Sequence, residues 1–463
     1  MAAESVITAP PARATVRYDL VELLKLAWPV VLARVGIMTM GFTDAAVVGH
    51  HSARQLGFHS IGWAPTSVVL TTAVGLLLGV QVMTARHVGE GRPHAAGGVL
   101  RRGLVYGLGL GILSVIVVVI AGPPFLHLSM MGLSPDLADG ASSAMLVFAW
   151  SLPGYFVATV AMYFLEALKK PIPGMVVMWL ANGLNLALDL WLVPGHSGLP
   201  VMGAVAAAWA TLFSRLFMAV VLLSYILLMP QARALGVFGK PIDGPVAAAE
   251  QRRVGYGSGA SMFLEIGAFA AMTLIAGQLG GLQAAAWATI LNVAAMVFMV
   301  PLGLSSATAV LVGRAFGARD HDGVSRAGFL GFGVTTALLA LICAAIGLFA
   351  GAVARIYTLD ATLLAMIAPA LVLSCLFYVP DGLQVVGAQA LRARGDVWLP
   401  TVFHLASYAV IMVPLAWVLA HRTPLGLDGI VWSVILASFV SGALQVGRFA
   451  WLALRPLTAN PAP

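Results

Sequence analysis

Charge is what this chain most conspicuously lacks. Of its 463 residues only 9% are Asp, Glu, Lys or Arg and 60% are apolar, whereas an ordinary soluble protein is roughly 25% charged. That little polar surface cannot cover so much apolar mass, which excludes a water-soluble fold. Cysteine is scarce too: Cys343 and Cys375 both fall inside apolar runs, and two thiols make neither a disulfide framework nor a zinc site, so both read as packing residues. No phosphate-cradling Gly-rich loop, no His-Glu-x-x-His and no nucleophile elbow occurs. ATP hydrolysis and membrane proteolysis are thereby left without their chemistry, and the chain is expected not to be an enzyme and to need no organic cofactor or metal. Residues 1–18 contain no apolar stretch, so no cleaved leader is expected ahead of the first span.

What the chain has in abundance is long apolar runs. A helix needs about 20 apolar residues to cross a bilayer, and twelve such runs lie near 20–48, 57–86, 97–122, 137–168, 171–195, 200–229, 251–280, 283–315, 324–351, 361–393, 398–421 and 426–455. The spacing predicts an all-α integral membrane protein with twelve transmembrane helices in two pseudo-symmetric six-helix lobes. The net charge of +7 does not point to nucleic acid, because the basic residues gather on one membrane face. With the N-terminus in the cytoplasm, twenty Lys and Arg fall on inner segments, among them Arg86, Arg101, Arg102, Lys169, Lys170, Arg252, Arg253, Arg314, Arg319, Arg392 and Arg394. Three lie outside (Arg54, Arg355 and Arg422) and two within spans (Arg34 and Arg215). The positive-inside rule then puts both termini in the cytoplasm.

The two halves repeat one another. At an offset of 228, Gly75, Arg86 and Gly89 correspond to Gly303, Arg314 and Gly317; at 223, Ser151, Tyr155, Ala167, Leu168, Gly203 and Trp209 correspond to Ser374, Tyr378, Ala390, Leu391, Gly426 and Trp432. Six spans per half is an even number, so both halves enter from the same side as parallel repeats. The expected organisation is a cytoplasmic tail over 1–18, an N-lobe over 19–229, a polar cytoplasmic linker over 230–253, a C-lobe over 254–455 and a tail over 456–463. Two such lobes suit alternating access around a central cavity.

Charges inside the spans are expensive and therefore functional candidates. Asp44, Asp189, Glu265 and Asp381 lie well inside, with Arg34 and Arg215 as basic counterparts. Counted at 1.5 Å per residue from the nearest inner basic residue, Asp44 and Asp189 stand about 28 Å up and Glu265 and Asp381 about 16–18 Å up. Thr211 and Arg215 share the higher level. Asn182, Asn185 and Asp189 follow i, i+3, i+7 spacing and set three oxygen-bearing side chains on one helix face, a ligand type that suits hard cations. Two readings of this upper layer stand, a cation site or a structural ion pair of Asp44 or Asp189 with Arg215. For Glu265 and Asp381 Arg34 is the sole basic candidate at matching depth, and a carboxyl buried without a fixed cation partner is suited to exchanging protons. Pro380 either kinks its helix or frees the Leu376 carbonyl beside Asp381 for coordination. Glu166 reads as a membrane-edge residue beside the lysines at 169 and 170. His50 and His51 read as membrane-edge polarity, and Tyr378, the repeat counterpart of Tyr155, as a secondary candidate with Asn182 and Arg215.

These residues sit in segments that resemble the multidrug and toxic compound extrusion family from about residue 20 to 455: GFTDAAVVGH (41–50), LEALKKPIPGM (165–175), NGLNLALDLWLV (182–193), MGAVAAAWATLFSR (202–215), FLEIGAFA (263–270), VPLGLSSATAVLVGRAFGARD (300–320) and DGLQVVGAQALRARGD (381–396). The resemblance implies cation-coupled antiport, with small organic cations or drugs exported in exchange for H+ or Na+ by rocking of two lobes in a bacterial-type inner membrane, by a protein that acts as a monomer. FLEIGAFA and DGLQVV match the norfloxacin-exporter branch and imply a cation site at Glu265 and Asp381; GFTDAAVVGH and NGLNLALD match the DNA-damage-inducible branch and imply Asp44, Asn185, Asp189 and Thr211. Lys169-Lys170 departs from a Gly-Arg-like pair common in the family. A lipid-linked precursor flippase of the wider superfamily is the alternative, though such proteins tend to add basic residues where this chain places acidic ones.

The charge bias sets a topology test. Cysteines introduced at Gly91 and Gly244 are expected to react with an impermeant thiol reagent only from the cytoplasmic side, and one at Ser197 only from outside; external labelling of the Gly244 variant would overturn the orientation and the count of spans.

Overall fold

A computed structural model describes residues 16–129, 135–195, 202–239 and 244–455; the two tails beyond these limits, the loop carrying Ser197 and Lys240 of the linker lie outside the described residues. In hydrocarbon every backbone N–H and C=O must be paired within the protein, and the described residues meet that demand with helices alone. In chain order these are α1 (Val16–His51), α2 (Ala53–Leu76), α3 (Gly79–Gly89), a 3-10 turn (Pro93–Ala95), α4 (Ala96–Ser129), α5 (Pro135–Trp150), α6 (Leu152–Ala167), α7 (Ile172–Leu192) and α8 (Gly203–Leu228). There follow α9 (Pro245–Leu279), α10 (Gly281–Gly317), α11 (His321–Tyr357), α12 (Ala361–Arg394), α13 (Trp398–His404), a π-helical segment (Leu405–Met412), α14 (Val413–Arg422) and α15 (Leu427–Ala453).

Ten of these helices or helix runs are long and apolar enough to span a membrane, and α5 with α6, bent by 40° at Ser151, makes an eleventh. Joined by α1, 36 residues long and carrying Arg34 and Asp44, they reproduce the expected order of twelve. Local chemistry fixes several ends. Asp320 and Asp360 accept hydrogen bonds from the N–H of Gly323 and Leu363 at 2.9 Å and so cap α11 and α12. Gly395 closes α12 in the left-handed conformation, at φ 105°.

By internal contacts the chain divides into two units. Among the described residues the first comprises 32–88 and 92–259, the second 16–31, 89–91 and 260–455. Two long helices thus change unit partway: α1 at Val31, two residues after its internal Pro29, and α9 at Gly259. The core of the first unit is built from α2, α4, α6, α7 and α8, around Leu77, Leu100, Phe156, Phe164, Met178 and Leu222. The second unit has two cores. One gathers Trp287, Ile290, Leu371, Tyr408, Ile430 and Val434. The other encloses Leu23, Leu26 and Ala27 of α1 among Leu304, Val310, Val386 and Phe449.

With lipid as solvent, helices gain by close packing more than by escaping water, so small residues mark their tightest approaches. At the α2–α3 junction a Cβ on Gly79 would stand 2.0 Å from the Gln251 carbonyl oxygen of α9. Gly79→Val is expected to destabilise the fold by about 1–3 kcal/mol, seen as loss of monodisperse protein in size exclusion, whereas Gly109→Val, which meets nothing within 4 Å, is expected to leave the profile unchanged.

Candidate functional site

In the first unit α1, α7 and α8 bring four of the expected side chains together. Asp44, Asn185, Asp189 and Thr211 are all buried, Asn185 and Asp189 completely. Asn182, two turns before Asp189, donates its Nδ2–H to the Gly36 carbonyl at 3.1 Å and to its own helix at Met178 at 2.9 Å, which pins α7 against α1. Gly36 lies eight residues before Asp44, so the same docking brings Asp44 to the face of α7 that carries Asn185 and Asp189. Thr211 of α8 donates its hydroxyl to Asp44 Oδ2 at 2.7 Å.

Acceptors outnumber donors here. The Asp44 and Asp189 carboxyls lie within hydrogen-bonding reach of one another, yet ionised carboxylates are acceptors only. Asp44 Oδ1, both oxygens of Asp189, both polar atoms of Asn185 and Asn182 Oδ1 are enclosed with no hydrogen-bond partner among the described residues. Buried polar groups are normally paired, so this cluster is chemically incomplete in the way a cation or proton site is.

Arg215 does not complete it. Its Nη1 donates to Ser151 Oγ at 2.8 Å, and its guanidinium stacks over Tyr155 at 4.7 Å and Trp63 at 5.2 Å. No ion pair joins it to Asp44 or Asp189 among the described residues. The ion-pair reading of this layer is thereby set aside: one helical turn separates Arg215 from Thr211, but the side chain is drawn to the bend between α5 and α6. His59 of α2, buried and within electrostatic reach of Asp44, belongs to the neighbourhood and was missed, because a lone histidine in an apolar run carries no spacing signal.

In the second unit α9, α12, the π-helical segment and α15 meet around Asp381. Tyr408, fully buried, donates its hydroxyl to Asp381 Oδ1 at 2.9 Å. Gln384 and Ser438 lie beside the same carboxyl, and Glu265 faces it from α9. No hydrogen bond to Glu265 exists among the described residues. Tyr378 is buried one turn before Asp381, with its ring edge-on to Phe377. The π-helical winding is what aims Tyr408, since one extra residue per turn rotates the side chains that follow.

Arg34 does not reach this pair. It is buried with Glu166 at 3.5 Å in the first unit, and Glu166 also accepts from Gln81 Nε2 at 2.6 Å. Glu166 is therefore buried, 4% exposed, and pairs with an arginine of α1. Arg392, used above as an inner-face marker, is likewise buried: its Nη2 donates to Ser261 Oγ at 2.5 Å, one turn from Glu265 on α9. Tyr408 and Ser438 were missed because LASYAVIM and the middle of α15 read as plain apolar helix. Gln384 was legible as the polar residue three after Asp381 in DGLQVV.

Comparison with known proteins adds to this geometry. The MatE family profile matches residues 29–191 and 258–418. The chain is 52% identical to the "Probable multidrug resistance protein NorM" of Caulobacter vibrioides over 95% of this chain and 93% of that one, and 31% identical to the like-named protein of Rhodopseudomonas palustris over 95% and 94%. Among solved structures it is similar to a MOP superfamily transporter from Pyrococcus furiosus, with a TM-score of 0.85 and 20% identity over 94% and 96% of the two chains. It also resembles the eukaryotic MATE transporter AtDTX14, at 0.82 and 18% over 95% and 98%. At such identities the structures speak for the fold alone, and the fold they share is the twelve-helix one.

The donors on Asp44 and Asp381 can be removed singly. Thr211→Val and Tyr408→Phe each take away one hydrogen bond to a buried carboxyl, and each is expected to cost about 1.5–3 kcal/mol, read as a lower melting temperature in detergent. Because the two groups share one bond, Tyr408→Phe on top of Asp381→Asn is expected to cost less than the sum of the single changes.

Proposed function

This chain belongs to the MatE family, and from that premise we propose that it is a secondary active antiporter which exports small organic cations, drugs among them, in exchange for H+ or Na+ by alternating access of its two halves. The observation that supports this most directly is the pair of facing carboxyls at Asp44 and Asp189, enclosed with Asn185 and supplied by the protein with a single donor, Thr211. A proton between the two carboxyls, or a cation among their oxygens, provides what the side chains withhold. Six side-chain oxygens, from Asp44, Asn185, Asp189 and Thr211, are of the kind that hard cations take.

Coupling follows from competition for the same relief. Burying a carboxylate costs free energy that either a bound cation or a proton offsets. In the second unit Glu265 and Asp381 share that cost, with Tyr408 as the fixed donor on one side. An organic cation that settles beside them makes the coupling ion redundant, and the ion makes the organic cation redundant. Mutual exclusion of this sort is the linkage that antiport needs. The protein is a multi-pass membrane protein; the reading places it in a bacterial-type inner membrane with both termini in the cytoplasm, and nothing in the scheme requires a second copy.

The test is efflux of a fluorescent cation such as ethidium from proteoliposomes with a pH or a sodium gradient imposed. Asp44→Asn keeps shape and removes the ionisable group, and is expected to abolish export without affecting insertion. Glu265→Gln is expected to weaken ethidium binding and to flatten its dependence on pH or sodium, and addition of Asp381→Asn to make it little worse. A Glu265→Gln protein that binds ethidium with unaltered dependence on both ions would move coupling to the Asp44 layer; full export by Asp44→Asn and Asp189→Asn would make that layer structural.

A further inference from the structure

The repeat offset of 228, read from Gly75, Arg86 and Gly89, reappears where the two long helices change unit. Helix α1 leaves the second unit after Val31 and α9 leaves the first after Gly259, positions 228 apart. The charges on the leading turns obey the same offset. Arg86, buried at the end of α3, pairs with Glu250 of α9 at 2.7 Å. Adding 228 to each partner gives Arg314 and, from Glu22, Glu250: Arg314 of α10 has Glu22 and Tyr18 of α1 as its neighbouring acidic and phenolic groups. In each repeat an arginine thus lies beside the acidic residue on the leading turns of the other repeat's first helix, as an ion pair at Arg86–Glu250 and as electrostatic neighbours at Arg314 and Glu22.

Packing repeats with the charges. Leu23, Leu26 and Ala27 of α1 are enclosed in a core of the second unit, and a Cβ on Gly303 would stand 2.4 Å from the Val31 side chain. In the first unit Gly255 of α9 would meet the Leu76 carbonyl oxygen at 2.0 Å and Gly259 the Leu76 side chain at 2.6 Å; Leu76 follows Gly75, the counterpart of Gly303. Gln251, next to Glu250, donates to the Val99 carbonyl at 3.2 Å and accepts from Arg102 Nε at 3.1 Å. On the second unit's side Arg326 donates to Asp19 at 2.8 Å. All of these residues lie toward the ends that the basic-residue bias assigns to the cytoplasm.

We propose that Arg86–Glu250 and Arg314–Glu22 form a repeat-related double clasp at the cytoplasmic ends of the helices, which anchors the leading turns of α9 in the first unit and of α1 in the second and which opens once in every transport cycle. The proposal rests on the alternating-access reading, since a helix shared in this way is what a transporter has to release before its inner side opens. The construction suits release. Glu250 keeps 45% of its side chain exposed, so water replaces the arginine on that side as the pair parts. Gly255, Gly257 and Gly259 weaken α9 just where it changes unit.

The test uses the full chain in proteoliposomes with Cys343→Ser and Cys375→Ser as background, carrying either Arg86→Cys with Glu250→Cys or Glu22→Cys with Arg314→Cys. A short, reducible bis-methanethiosulfonate links each pair. Linking is expected to cut ethidium export at least about tenfold, with recovery on reduction, because a conformational step then limits turnover. Ethidium together with a pH or sodium gradient is expected to lower the linking yield relative to vesicles given neither. Export by fully linked protein at the unlinked rate, or a yield that is the same in every condition, would overturn the clasp. Unlinked protein that exports no ethidium counts against the antiport reading, and the yield comparison then decides the clasp by itself. Should single substitutions at Arg86 misfold, the exchanged pair Arg86→Glu with Glu250→Arg restores the attraction and is expected to restore the folded yield and export together; restored folding with export absent would also count against a clasp that merely needs opposite charges.

Discussion

The constraint on which the rest of this molecule depends is the cost of keeping a carboxylate out of water. Much of the rest of the chain avoids that cost: helices are apolar, and Glu166 is paired with Arg34 and Gln81. Asp44, Asp189, Glu265 and Asp381 accept it. Leucine at those four places would have been cheaper to bury, so the retained carboxyls are the costliest groups in the fold. Their neighbours limit the help they receive, with one threonine hydroxyl on Asp44 and one tyrosine hydroxyl on Asp381. The donors position each carboxyl without saturating it.

That economy explains the treatment of Arg215. A guanidinium paired with Asp44 would be a permanent occupant and would close the site to every other cation. Ser151 at the bend between α5 and α6, with the rings of Trp63 and Tyr155, holds the guanidinium, so that it makes no ion pair with Asp44 although it stays within electrostatic reach of it. Arg34 is similarly committed to Glu166. Local packing of two arginines thus preserves the vacancy of charge that the carboxylates require.

Much of this was legible in the sequence, for identifiable reasons. Helices in a membrane are dictated by apolar length, so the order of spans followed from composition. The i, i+3, i+7 spacing of Asn182, Asn185 and Asp189 fixed one face without any tertiary information. Rotation of a side chain by a π-helical turn has no such signature: nothing in LASYAVIM distinguishes Tyr408 from a packing tyrosine, and its partner Asp381 is 27 residues away. The burial of Glu166 and Arg392 was not legible because charge beside a turn usually marks a solvent-exposed surface. Here the burial is created by helices that approach from elsewhere in the chain.

Counted by the repeat offsets, the two polar clusters share almost nothing. Tyr408 is the counterpart of Asn185, but Asp44 corresponds to Met272, Asp189 to Met412, Glu265 to Ile37 and Asp381 to Ala158. Each of these four acids has an apolar residue as its counterpart in the other half. Within these clusters the halves share one polar position, Asn185 with Tyr408, and no acid, unlike the leading turns, where Arg86 and Glu22 recur as Arg314 and Glu250. The halves are siblings in shape and strangers in chemistry, and neither can serve as a spare for the other.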